Sequence, residues 1–150
     1  MIALIQRVSR AEVRIAGVPA ATIGAGVLGL IGIVRGDDEA AAERLVERLL
    51  SYRVFADQAG KMNLSVRDTG GALLLVPQFT LAADTDKGTR AGFSTAAAPV
   101  DARRLFGHLL KCAQDSYAHV SAGVFAADMQ VSLTNEGPVT FWLETPGNRA

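Results

Sequence analysis

Hydrophobic and polar positions follow a two-residue period over much of this chain. Ile2–Val8 and Glu12–Ala16, rich in Ile and Val, predict two strands, and Gly17-Val18-Pro19 carries a turn signal. Ala20–Ile23 predicts a third short strand. Val27–Val34 is almost continuously apolar, as in a strand buried on both faces. Asp37-Asp38-Glu39 then supplies a cap and first-turn acids for a helix. Ala41, Leu45, Val46, Leu49 and Leu50 recur at helical spacing, so the helix is expected to reach about Tyr52. Arg53–Ala56 returns to strand, Asp57–Gly60 turns, Lys61–Val66 is extended, and Thr69-Gly70-Gly71 turns again. Ala72–Val76 predicts a short apolar strand that stops at Pro77.

The second half opens with a polar loop over Ala83–Ser94. Pro99-Val100-Asp101 starts a second helix, with Leu105, Phe106, Leu109, Leu110 and Ala113 on its buried face. Met129, Val131 and Leu133 alternate with Gln130, Ser132 and Thr134, a half-buried strand. Asn135-Glu136-Gly137 predicts a turn into a last strand, Val139–Glu144, so that the chain closes on a hairpin. Strands outnumber helices, and no regular alternation of strand and helix appears. The expected fold is a single α/β domain of mixed or antiparallel sheets, a barrel-like layered core with two main helices packed on one side.

With 150 residues the chain is large enough for one real core, and 49% hydrophobic with 20% charged residues is ordinary for a globular domain. Fifteen basic residues balance fifteen acidic ones, so the overall field does not attract nucleic acid; such a partner must be held locally or by its end groups. No apolar stretch approaches the ~18 residues of a membrane span. The N-terminus lacks the layout of a signal peptide. The single cysteine, Cys112, cannot form an internal disulfide, so a cytoplasmic location is expected.

Several familiar motifs fail on context. Gly24-Ala25-Gly26-Val27-Leu28-Gly29 matches a dinucleotide fingerprint, but a strand follows where a helix N-terminus is required. Gly92-Phe93-Ser94-Thr95-Ala96 lacks the last glycine and the preceding strand of a nucleophile elbow. His108 falls within the second helix at a surface or boundary position, and His119 falls in a loop without a patterned carboxylate. No Cys-x-x-Cys or histidine pair suggests a metal, and Cys112 sits at the edge of an apolar face as a small buried hydrophobe. An enzyme built from these parts works by positioning and by backbone hydrogen bonds.

Two segments remain. Gln78 and Thr80 follow the strand that ends at Pro77 and share one side of an extended segment, with Phe79 opposite. Their amide and hydroxyl serve either as a strand-end cap or as substrate contacts, and Phe79 is either core or site. Gly137-Pro138 is either a plain turn or a place of close backbone approach, since glycine permits positive φ and proline fixes its own.

Met1–Val8, Lys61-Met62-Asn63-Leu64, Gln78–Asp84, Ala126–Val131 and Asn135–Trp142, in this order, closely resemble the D-aminoacyl-tRNA deacylase family. The resemblance runs from Met1 to about Glu144, which sets residues 1–145 as the domain and 146–150 as a loose tail. It implies a cytoplasmic homodimer that hydrolyses the ester between a D-amino acid and the terminal adenosine of tRNA, and removes glycine from mischarged alanine tRNA, with no cofactor. It implies Gln78 and Thr80 as catalytic positions and Phe79 beside them. It further implies Phe125 and Met129 as walls of the adenosine pocket, and Gly137-Pro138 as a cis step entering the partner subunit's site. The chain departs from the family pattern at Pro77, where a serine is usual, and at Ala91-Gly92, where Pro-Ser is usual. An RNA-binding module without catalysis is the rival reading, kept open by Pro77. A purely structural dimerisation domain is a third, and it expects no pocket near Thr80.

Overall fold

The computed structural model describes residues 1–147. The chain runs β1 (Ile2–Ile15), β2 (Val18–Ile23), β3 (Gly26–Gly32), α1 (Glu39–Ser51), β4 (Phe55–Ala56), β5 (Met62–Leu64), α2 (Val66–Thr69), β6 (Ala72–Pro77), a 3₁₀ turn (Phe79–Ala82), α3 (Pro99–Ser116), β7 (Val120–Ala122) and β8 (Gln130–Glu144). The main sheet has the order β2-β1-β3-β6-β7, with β8 on the other edge of β1, while β4 and β5 form a small separate pair. β3 with β6 and β6 with β7 are parallel; the other pairs are antiparallel. This is the expected mixed, barrel-like sheet, and it contains two parallel crossovers that strand counting did not reveal.

Each face of the curled sheet has its own core. Ala3, Ile5, Val27, Ile31, Leu73 and Leu75 face α1 and α3, which contribute Leu45, Leu49, Leu105 and Leu109. Val8, Ala11, Val13, Ile23, Leu28, Leu74 and Val76 pack on the opposite face, joined by Met129 and Val131. Leu73, Leu74, Leu75 and Val76 thus alternate between two cores, which explains why β6 reads as a solid apolar run. α1 is capped by Asp38, whose carboxylate accepts from the Ala41 amide at 2.8 Å. The side chain of the neighbouring Asp37 is buried and pairs with the N-terminal ammonium at 2.7 Å.

Four expectations are corrected. The first two strands are one, β1, because Ser9-Arg10-Ala11 contains no breaker and its polar side chains face solvent. The closing hairpin is also one strand, β8. Both of its halves pair with β1, as Leu4↔Trp142 on one side and Ala11↔Leu133 on the other show. A hairpin would have paired them with each other. The segment after Pro77 is not extended but a 3₁₀ turn. Ser65 and Asp68 form a reciprocal capping box, so Val66–Thr69 is a helical turn where strand and turn were expected. At the C-terminus the Pro146 carbonyl accepts from Arg44 at 2.6 Å, while residues 148–150 of the expected tail lie outside the described residues.

Candidate functional site

β6 outlasts its neighbour β7, whose last pair is Leu75↔Ala122, and this sets the site. The Gln78 amide donates to the Ile31 carbonyl on the β3 side, whereas the Leu75 carbonyl accepts from Gly123 on the β7 side. Backbone groups alternate sides along a strand, so the donor that Pro77 lacks would have pointed toward β7, beyond its end. Proline thus sits past the last paired residues of the β6–β7 ladder. Its ring lines the cavity below.

The chain then folds into the 3₁₀ turn, closed by Leu81 N–H to the Gln78 carbonyl at 3.3 Å and by Ala83 N–H to the Thr80 carbonyl at 3.2 Å. The turn lies directly on β3. A Cβ at Gly32 would come within 2.8 Å of the Leu81 Cβ, so only glycine allows this approach. Phe79 consequently points outward, 61% exposed, rather than into the core. It stacks at a tilt on Phe93, with ring centroids 5.2 Å apart. The Gln78 side-chain amide donates to Thr80 Oγ1, which leaves the hydroxyl proton free to donate elsewhere.

A cavity of about 1200 Å³ opens beside this turn. Gln78, Phe79, Phe125 and Met129 all line it, together with the first turns of α3. Met129 is fixed by the Val124 amide, which donates to its sulfur at 3.4 Å. Phe125 is held between Phe106, at 6.4 Å between centroids, and the Arg103 guanidinium, 4.9 Å from its ring centre. Thr80 lines an adjoining recess of about 450 Å³ with Trp142 and Thr95. The Gln78–Thr80 hydrogen bond joins the two spaces. Neither is lined by histidine, cysteine or lysine, and the hydroxyl of Thr80 meets an amide, which cannot accept its proton as a base.

Gly137 and Pro138 line neither space. The register between β1 and β8 passes from Gln6↔Thr140 to Val8↔Asn135, so Arg7 faces the four residues 136–139, which bulge out of the strand. The peptide bond between Gly137 and Pro138 is cis, and both residues are exposed. Arg7 holds this bulge. Its Nε donates to the Glu136 carbonyl at 3.0 Å and its Nη1 to the Val54 carbonyl at 2.7 Å. Asn135 closes the base: its Oδ1 accepts from Val139 N–H at 3.1 Å and its Nδ2 donates to Thr140 Oγ1 at 2.8 Å. Gly137 has φ of 129°, where side chains are strained, and a Cβ there would lie 2.9 Å from Arg7 Nη2. No motif in the sequence marked Arg7 for this bracing; Asn135 and Thr140, flanking the Gly-Pro step, were legible only as turn and strand positions.

Among the described residues one cluster offers mixed metal-ligand chemistry, Glu43, His108 and Cys112, on the helices and outside both spaces. Burial, reinforced by Glu43 and Asp115, pushes the Cys112 thiol up, so it does not serve as a ready thiolate nucleophile.

With this geometry in place, the chain can be compared with known proteins. Residues 4–144 match the family model described as D-Tyr-tRNA(Tyr) deacylase. The chain belongs to the D-Tyr-tRNA(Tyr) deacylase family. Similar members include the D-aminoacyl-tRNA deacylase of Thioalkalivibrio sulfidiphilus, 60% identical over 99% of this chain and 100% of that one. That of Alkalilimnicola ehrlichii is 62% identical over 96% of both chains. Among solved structures, the c-Myc DNA Unwinding Element Binding Protein superposes with a TM-score of 0.93 at 37% identity, covering 98% of this chain and all of that one. A probable eukaryotic D-amino acid tRNA deacylase shares the fold at a TM-score of 0.83 and 16% identity, over 95% of this chain and 98% of that one. For this deacylase-family chain, the fold is therefore that of its relatives. No helix among the described residues is long and apolar enough to cross a membrane.

Proposed function

We propose that this protein is a D-aminoacyl-tRNA deacylase that rejects L-aminoacyl-tRNA by shape and also clears glycyl-tRNA. The observation that carries this reading is the Gln78–Thr80 pair beside the cavity, in which the Thr80 hydroxyl meets an amide rather than a base, in a chain that belongs to a deacylase family. An aminoacyl ester is already activated. Water adds to the carbonyl carbon, the bond to the ribose oxygen breaks, and that oxygen takes up the proton. Such chemistry needs placement and stabilisation of the oxyanion more than a strong base. In this reading the cavity holds the terminal adenosine against Phe125 and Met129, while Gln78, Phe79 and Thr80 meet the aminoacyl group. Thr80 orients the substrate or water with its free proton, and the ribose 2′-hydroxyl assists the attack.

The Gly137-Pro138 bulge supplies the chiral gate, from a second copy of the chain. Three features support this. The bulge is absent from the cavity of its own chain. Among the described residues the outer edge of β8 has no strand partner. That same strand exposes Leu133, Phe141 and Trp142, an apolar surface suited to an interface. Trp142 also lines the recess that holds Thr80 and lies four residues from Pro138, about 13 Å along a strand. A rigid backbone wall excludes an L side chain and leaves a D side chain outside, and glycine has nothing to collide. The cytoplasm, where tRNA is charged, is the fitting location.

Release of free amino acid from D-Tyr-tRNA and L-Tyr-tRNA tests the proposal. Turnover of the D-ester alone is expected. Binding of both without release would instead favour the RNA-binding module. Replacing the terminal ribose by its 2′-deoxy form is expected to slow release, and an unchanged rate would remove the ribose from the mechanism.

A further inference from the structure

The face where α1 meets α3 carries a ladder of polar pairs. Glu39 pairs with Arg104, and one turn on, Glu43 Oε1 lies 3.1 Å from His108 Nε2. Cys112, a further turn along α3, places its Sγ 3.5 Å from that same Nε2. All three donor atoms lie within 4.8 Å of one another. The ion pair accounts for Glu43 and His108. It does not account for the single cysteine of the chain being turned onto the same ring nitrogen, which carries at most one proton for two acceptors.

A tetrahedral zinc ion, with bonds of about 2.3 Å to sulfur and 2.0–2.1 Å to nitrogen or oxygen, holds its ligand atoms about 3.3–3.6 Å apart. The two distances seen here are close to those edges. His108 and Cys112 are four residues apart and so share a helix face, while Glu43 completes the set from the facing helix. Glu43 is exposed, leaving an entry path and room for water as a fourth ligand.

We propose that Glu43, His108 and Cys112 form a zinc site that staples α1 to α3. On binding, the Cys112 S–H bond breaks, its proton passes to solvent and a sulfur–zinc bond forms. His108 coordinates through Nε2 with its proton on Nδ1, and no oxidant or reductant is involved. The site lies one turn from Arg104 and Leu105 in the cavity wall, yet none of its three ligands lines the cavity. Its role is to fix the helices, not to act on substrate.

Cobalt(II) titrated into the chelator-treated full-length protein tests this. A thiolate-to-cobalt absorption band with tetrahedral ligand-field bands is expected, saturating at one ion per chain and abolished by zinc. Cys112→Ser is expected to lose the band. His108→Ala and Glu43→Gln are each expected to weaken cobalt affinity by about tenfold or more, since even outer-shell partners contribute that much. Zinc is expected to raise the melting temperature of the wild type but not of Cys112→Ser, with metal-free circular dichroism verifying that each variant folds. No thiolate band would overturn the proposal. So would a band of equal affinity in His108→Ala, which would mark a lone-thiol adduct.

Discussion

The turn at Phe79–Ala82 and the bulge at residues 136–139 both lie at strand irregularities, but they are held in opposite ways. The turn is seated on the sheet through Gly32 and Leu81, hydrogen-bonded to β3, and walled by α3. The bulge exposes Glu136, Gly137 and Pro138, roots in the core only through Val139, and is braced by one arginine and one asparagine. Mutations near the turn should therefore affect stability before chemistry. Mutations at the bulge should affect selectivity and leave the fold intact. A pocket made from the core is costly to alter, whereas a gate carried on a surface bulge is adjustable.

The largest effect is expected where the pocket meets the core. Asp37 lines the cavity, and its side chain is buried against the N-terminal ammonium. Asp37→Asn leaves that charge unpaired and should cost about 3–5 kcal/mol, measured by denaturant unfolding. An unchanged midpoint would break the distinction between the two regions. Next comes the proposed gate. Pro138→Ala should raise L-Tyr-tRNA release by about 100-fold, the upper range for discrimination by pocket shape, with D-Tyr-tRNA release and melting little changed. Arg7→Ala removes the brace rather than the wall. It should raise L-release by about tenfold, in line with hydrogen bonds from a charged donor worth about 1.5 kcal/mol. If Arg7→Ala unfolds the protein instead, the bulge is part of the core after all. The smallest effect is expected at Thr80. Thr80→Ala loses one neutral contact and should slow D-release by no more than about fivefold. Complete loss, with fold and tRNA binding intact, would make Thr80 a nucleophile.

Periodic segments were legible in the sequence because their pattern is their cause. The apolar stripe of α1 and the solid run of β3 emerge as expected. The long strands were not legible as wholes. Nothing local tells that Asn135–Pro138 interrupts one strand rather than joining two; that depends on β1 pairing with both halves, which is tertiary. Gln78, Phe79, Phe125 and Met129 were placed together by resemblance, and the structure gathers them around one cavity. Thr80 was grouped with them but lies in the adjoining recess. Arg7 was missed because its role depends on a register shift of β8 that no spacing reveals. The Glu43–His108–Cys112 cluster was invisible for the same reason: 65 residues separate Glu43 from His108.

In the proposed assembly the pocket of one chain faces the bulge of another. This arrangement is tested by joining Thr80→Cys and Pro138→Cys in a Cys112→Ser background with a short bifunctional thiol reagent. A cross-linked species of twice the chain mass is expected in the double variant and in neither single variant. A link confined within one chain, or no link at all, would contradict it.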